Sequence, residues 1–292
     1  MLFRSSCTLC AHACRVDRTT AARGRCRMSF AMRVSRIALH PWEEPVLTGR
    51  CGSGTVFFVG CSLGCVYCQN RRISRGNGGE EYSPDTLADA MLRLARQGAA
   101  NINLVTPTHF VPSVIETVRL ARERGLTVPI VYNTSSYDTV QTLRALEGTV
   151  DIYLADFKYW DSRLAAQYSG ASDYPEVARA AIAEMMRQQP TPRYATDGTL
   201  IGGVICRLLL LPGAVANSKL ALSYLYRTYG DHIILSLMNQ YTPVGEQKPP
   251  LDRPVTHEEY GELLNYADRL GITNAFTQEY GTAQESFIPD FL

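Results

Sequence analysis

Three observations predict that this 292-residue chain is an α/β protein built on parallel strands. From residue 55 onward, short apolar β-type runs alternate with helix-length amphipathic segments. Several of those segments begin or end at Pro, Gly, Ser or Thr. The composition, 46% hydrophobic and 20% charged, suits a globular chain with a sizeable core. Six β–α units imply right-handed crossovers, in a sheet either open or barrel-like; periodicity fits both.

The strand runs fall at residues 55–59, 102–105, 128–132, 151–155, 204–211 and 232–237. Helical patterns lie between and after them, near 84–99, 112–124, 137–147, 160–188, 215–229 and 256–271. Ser83, followed by Pro84, and Thr256 are expected to cap two of these helices through their hydroxyls. In either sheet geometry, chemistry belongs on the loops leaving the carboxyl ends of the strands. Those loops are 60–64, 106–109, 133–136, 156–158, 212–213 and 239–241, where polar residues concentrate. Residues 243–254, with Gly245 and several prolines, read as a surface loop.

A formal charge of +1 argues against an overall polyanion binder, so nucleic acid is not an expected partner. The average hides a basic amino terminus: Arg4, Arg15, Arg18, Arg23, Arg25, Arg27, Arg33 and Arg36 stand against Asp17 alone. The first residues lack the apolar core of a signal peptide, and the apolar run 203–211 is interrupted by Arg207 and too short to span a bilayer. A cytoplasmic protein with no membrane association is expected. In that reducing compartment, nine cysteines favour metal ligation or catalysis over disulfides.

Cys61, Cys65 and Cys68 have the spacing C-x3-C-x2-C directly after the first strand run, in a loop that also carries Gly60 and Gly64. Such a loop lets three sulfurs converge on one cluster and leaves one metal position open, unless Cys51 supplies a fourth ligand. A zinc knuckle or buried structural thiols are the bland alternatives. Cys7, Cys10, Cys14 and Cys26 form a second set, suited to a structural zinc or to an auxiliary iron–sulfur cluster, with His12 a substitute ligand. Either centre with four thiolates is anionic, which gives the surrounding arginines a local purpose.

The first set, with Tyr67 before its last cysteine, resembles the radical S-adenosylmethionine (radical SAM) superfamily. Further stretches extend the likeness: 7–26, His40-Pro41-Trp42-Glu43-Glu44-Pro45, 52–70, 101–110, 132–135, 151–158 and 288–291 are similar to PflX-type proteins, relatives of pyruvate formate-lyase activating enzyme. The resemblance implies a partial (β/α)6 TIM-like barrel of the radical SAM type over 51–292, preceded by a small Cys-rich metal-binding extension over 1–50. It implies a [4Fe-4S] cluster on Cys61, Cys65 and Cys68 whose open iron chelates S-adenosylmethionine. Reduction then cleaves the sulfonium to a 5′-deoxyadenosyl radical that abstracts hydrogen, a chemistry belonging to the cofactor.

By the same resemblance, Tyr67, Asn70, Asn133, Thr134, Asp156, Lys158 and Arg207 are cofactor-binding positions, Arg207 also reading as half of a core salt bridge; Thr106 and Thr108, where the chain departs from the family, are added for their hydroxyls. The loops at Asn133-Thr134 and Asp156–Lys158 match a monovalent-cation site of activating enzymes, with Asn133 in place of an aspartate. Thr106-Pro107-Thr108-His109 replaces their Gly-Gly-Glu turn, and His109 reads either as a titratable group facing the pocket or as a structural or surface histidine. Glu43 and Gln240 are further catalytic candidates, although the segment around Glu43 and Glu44 also reads as connecting structure. Cys206 reads as a core thiol, and residues 280–291 as a tail folding over the open end.

The implied activity is hydrogen abstraction that activates a protein partner, a glycyl radical enzyme, with flavodoxin or ferredoxin as low-potential electron donor. The alternatives are radical modification of a peptide, small metabolite or RNA, and a non-enzymatic iron–sulfur carrier or redox sensor.

Overall fold

The computed structural model describes residues 6–20 and 22–279, so the expected tail at 280–291 lies outside the described residues. Each of the six anticipated strands is present: β2 (Ser53–Phe58), β4 (Ile102–Val105), β5 (Ile130–Thr134), β6 (Ile152–Asp156), β8 (Leu200–Leu209) and β9 (Ile234–Met238). They pair in parallel in that order, and β10 (Ala275–Thr277), which the periodicity did not announce, adds to β9. β1 (Arg33–His40) lies antiparallel against β2 and carries the two-residue β3 (Glu80–Glu81), while β7 (Arg193–Tyr194) pairs with β8. The sheet therefore reaches into the amino-terminal fifty residues.

The crossovers are helical, as parallel neighbours require. α1 (Pro45–Thr48) and α2 (Arg71–Ser74) are single turns, and α3 (Pro84–Arg96), α4 (Val111–Glu123) and α5 (Val140–Ala145) follow. The long pattern at 160–188 resolves into α6 (Ser162–Ser169) and α7 (Tyr174–Gln188), because Gly170 takes a left-handed conformation that ends the first helix. α8 (Val215–Tyr229) and α9 (His257–Leu270) complete the set. Ser83 and Thr256 each cap their helix in a reciprocal capping box, with Thr86 and Glu259 reaching back.

Alternation along the strands separates two environments. On β8, Val204, Cys206 and Leu208 pack among the helices, whereas Arg207 and Leu209 face the interior of the sheet. Cys206 is fully buried there, as expected of a core thiol. Lower in the interior, Leu47 of α1 packs against Val131, Leu154, Ile205 and Ile234, so this short turn plugs the amino-terminal end. His40 and Phe57 from one side of the sheet, and Met238, Phe276 and Thr277 from the other, line a single cavity. The sheet thus curls until its two edges face one another without pairing among the described residues. That is a partial barrel. No helix among the described residues is long and apolar enough to cross a membrane.

Candidate active site

The cavity has a volume of about 600 Å³ and runs from the loop after β2 down into the curled sheet. Cys61, Cys65 and Cys68 line its upper end together with Tyr67 and Asn70. The loop turns sharply because Gly60 and Gly64 both take positive φ, 89° and 64°. At Gly60 a side chain is also excluded by space: a Cβ would meet Met28 Cγ at 2.4 Å and His109 Nε2 at 3.1 Å. Ser169, at the end of α6, donates to Cys65 Sγ at 3.0 Å and so fixes that sulfur's place in the loop.

Burial, and next the two neighbouring thiols, push the Cys61 thiol up to about 12; burial also raises Cys68, against which Lys158 acts. Without a metal these sulfurs hold their protons, and metal binding is what releases them. Three thiols at one end of a cavity, a hydroxyl donor and a nearby ammonium fit a cluster with an open iron facing the cavity.

Below the thiols lies a charged wall. Asp156, the last residue of β6, accepts from Lys158 Nζ at 2.8 Å through one oxygen and from Arg207 Nε at 2.8 Å through the other. Burial alone would raise this carboxyl, but Arg207 and then Lys158 hold it below its ordinary value. Register explains the contact, since Asp156 and Arg207 are direct partners across β6 and β8. Arg207 Nη2 also donates to Asn133 Oδ1 at 2.8 Å. Thr134 donates to Asp138, a buried carboxyl that also accepts from Tyr132 at 2.8 Å. Both oxygens of Asp156 thus hold protein cations, and Thr134 is engaged by Asp138.

The turn after β4 departs from expectation. Thr106 lines the cavity at a left-handed φ of 59°, a strained conformation for a β-branched residue. Residues Thr108–Phe110 then form a 3₁₀ turn that carries the next two side chains inward. Thr108 is buried beside Tyr132, 3.4 Å from its hydroxyl, and does not line the cavity. His109 does not face the pocket either: it is 3% exposed, with Nε2 at 2.7 Å from the Val59 carbonyl. Burial, then the Arg18 guanidinium, lower its pKa to about 3, so it stays neutral and supports the cluster loop from behind. Its role is positional.

The floor is acidic. Glu43 and Glu44 line the cavity, although the segment was read chiefly as a connection. Glu44 accepts from Ser236 Oγ at 2.9 Å, while Glu43 Oε2 lies 4.0 Å from Arg207 Nη1 without a hydrogen-bond partner. Burial raises both carboxyls, Glu44 to about 6. Gln240 lines the opposite wall and accepts from Gln278 Nε2 at 2.9 Å. Sequence reasoning missed Ser169, Ser236, Asp138 and Gln278. Only position at a strand end could have flagged Asp138; the others reach the site from distant segments.

Among the described residues, no three or more His, Cys, Asp or Glu side chains close tightly enough to hold a single metal ion. The amino-terminal thiols are therefore not preformed around one zinc, and none of them lines the cavity.

Comparisons with known proteins fit this geometry. The sequence profile of the Radical SAM superfamily matches residues 55–201, from β2 through the cluster loop to β8. The chain is 28% identical over 278 residues to an uncharacterized protein of Methanocaldococcus jannaschii, MJ0674, covering 91% of this chain and 75% of that one. Among solved structures, HydG, a maturase of the [FeFe]-hydrogenase, superposes with a TM-score of 0.51 at 13% identity, covering 78% of this chain and 52% of that one. SuiB of Streptococcus suis bound to S-adenosylmethionine superposes with a TM-score of 0.50 at 10% identity, covering 76% and 49%. The SuiB complex with its precursor peptide SuiA gives 0.50 at 11% identity, covering 76% and 47%. The chain spans about half the length of these solved structures, and at such identities they speak for the fold alone.

Proposed function

Since the chain belongs to the radical SAM superfamily, whose members cleave S-adenosylmethionine with an iron–sulfur cluster, we propose that it abstracts hydrogen from a peptide segment of a partner protein, in the manner of the glycyl radical activases. The observation that carries this reading is the cavity's course. It starts at Cys61, Cys65 and Cys68 and passes the Asp156–Arg207 wall. It then reaches the gap between β1 and β10, unpaired among the described residues, where the 64%-exposed Trp42 stands. A partner chain reaches such a lateral opening without unfolding. The resemblance of this chain to PflX-type proteins supports the same class, and so does the similarity of its fold to SuiB bound to its precursor peptide SuiA.

When bound, a [4Fe-4S] cluster on the three cysteines and S-adenosylmethionine supply the radical chemistry, with one electron from a low-potential donor such as flavodoxin or ferredoxin. The protein's part is orientation and exclusion of water. Lys158 and Arg207 bring positive charge to the cofactor's carboxylate end. Thr106 offers its hydroxyl in place of an acidic turn, and Tyr67, held by the Tyr159 hydroxyl at 2.7 Å, walls the cluster side. A volume of about 600 Å³ is also within the range of small-molecule sites, which favours a small metabolite as the second reading.

Anaerobic reconstitution followed by dithionite and S-adenosylmethionine is expected to give 5′-deoxyadenosine, and Cys65→Ala to reduce it to background. A glycyl radical signal appearing only with a candidate partner confirms the activase. Deuterium transfer from a metabolite without any partner protein would replace it with the second reading, and no 5′-deoxyadenosine at all would reject both.

A further inference from the structure

Arg18 is a guanidinium in the wrong place for an ordinary arginine. It is 2% exposed, and no carboxylate among the described residues pairs with it. Nη1 donates to the His109 carbonyl, Nη2 donates to the Ser29 carbonyl at 2.5 Å, and Nε is buried without a partner. Its guanidinium also lies 5.7 Å from the centre of the Phe110 ring, but carbonyl dipoles and a ring face do not neutralise a buried charge, which carries a large desolvation penalty unless an anion faces it. What faces it is sulfur. Cys7 Sγ lies 3.9 Å from Nη1, and the same guanidinium acts electrostatically on Cys26.

The four amino-terminal cysteines share one region of the fold, although as they stand no three of them close around a single ion. Cys10 interacts electrostatically with Cys7 and Cys26, and Cys26 with Cys7 and Cys14. Gly24 keeps the space between them clear: a Cβ there would stand 2.8 Å from Cys14 Sγ and 3.7 Å from Cys26 Sγ. No disulfide joins any of these sulfurs. Four thiolates around a metal core carry a net charge of about −2.

We infer that Cys7, Cys10, Cys14 and Cys26 bind a thiolate-ligated metal centre, zinc or an iron–sulfur cluster, whose buried counter-ion is Arg18. The centre is a clamp on the radical SAM core and not a part of the cavity. Cys10 forms a bridge with Asp138 in the loop after β5, and Ala11 N donates to the Tyr137 carbonyl at 3.3 Å. Arg18 grips the turn after β4 through His109, and Cys7 packs in one cluster with Leu63 and Cys65 of the loop after β2. Closing the thiols on a metal fastens three cofactor loops at once. This inference rests on the amino-terminal residues and stands independently of the proposed radical activity.

The test uses the full chain, purified without oxygen, with Cys61, Cys65 and Cys68 all replaced by Ala. Iron, acid-labile sulfide and zinc are measured per chain. About four irons and four sulfides, or about one zinc, should remain, and further replacement of Cys10 and Cys26 by Ala should remove them. A folded triple variant without metal, or with zinc acquired only from added excess, overturns the inference. Arg18→Gln should weaken metal retention against a chelator about 10–100-fold, while Arg18→Lys stays near the wild type. Equal retention in wild type and Arg18→Gln overturns the counter-ion role. Should Arg18→Gln fail to fold, the metal content of the triple variant still decides. Wild type that holds this metal but yields no 5′-deoxyadenosine sinks the radical reading and leaves this one intact.

Discussion

The rim and the floor of the cavity carry carboxylates in opposite states, although both lie within reach of Arg207. At the rim, Asp156 is held ionised by two direct charge-assisted bonds, one to Arg207 Nε and one to Lys158 Nζ, each 2.8 Å. At the floor, Arg207 Nη1 comes no closer to Glu43 than 4.0 Å and Asn103 is its neutral partner, while Glu44 receives a serine hydroxyl. Burial therefore wins there, and both floor carboxyls are pushed toward protonation. One guanidinium cannot serve every acid around it. Its fixed fork decides which acid is a permanent charge and which is free to titrate. The rim is thus built to hold a charged ligand at all working pH values, and the floor to change its charge.

Removing the shared cation tests this contrast most severely. Arg207→Met leaves Asp156 with Lys158 alone in a buried setting, and breaking such a pair typically costs about 3–5 kcal/mol. Urea unfolding should show a loss of that size; a loss under about 1 kcal/mol would mean that Lys158 suffices and the rim does not depend on Arg207.

A smaller effect is expected from the floor, and its sign is distinctive. Glu44 has a folded value of about 6, above its ordinary 4.5. As pH rises through that window the unfolded chain releases its proton first, so stability falls between about 4.5 and 6. The fall amounts to about 2 kcal/mol at roughly 1.4 kcal/mol per unit. Glu44→Gln removes this loss, so its stability relative to wild type should improve by about 2 kcal/mol between pH 4.5 and pH 7. A pH-independent difference between the two proteins would show that Glu44 titrates normally.

The smallest change sharpens the comparison within the floor itself. Ser236→Ala deletes the hydroxyl donor to Glu44 and should cost about 1 kcal/mol near pH 7. Because that bond favours the ionised form, the midpoint of the Glu44-dependent stability change should also move to higher pH. An unmoved midpoint would show that the Ser236 hydroxyl does not help to set the ionisation of this carboxyl, leaving it to burial and Arg207.

Much of the architecture could be read locally. The six parallel strands and their helices follow from apolar runs and capping residues, each decided within a dozen or so positions. Cys61, Cys65 and Cys68 were equally plain, because a loop of this length with two glycines leaves the sulfurs few places to go. His109 shows where local reading ended. Its place after a strand was right, yet a 3₁₀ turn swings its ring away from the cavity and behind Gly60. The helical pattern at 160–188 hides a break for a related reason: one left-handed glycine at 170 divides it into two helices.

The sequence by itself determined the strand and helix order, the thiol triplet and the family to which the chain belongs, because these depend on neighbours along the chain. Only the tertiary structure decided which charges are fixed. Asp156 and Arg207 meet through register between β6 and β8. Glu43 and Glu44 reach the floor because β1 runs antiparallel to β2 and ends there, at His40 opposite Ser53. Ionisation depends on burial and on distances of a few ångströms between remote segments. Those distances exist only once the sheet has curled.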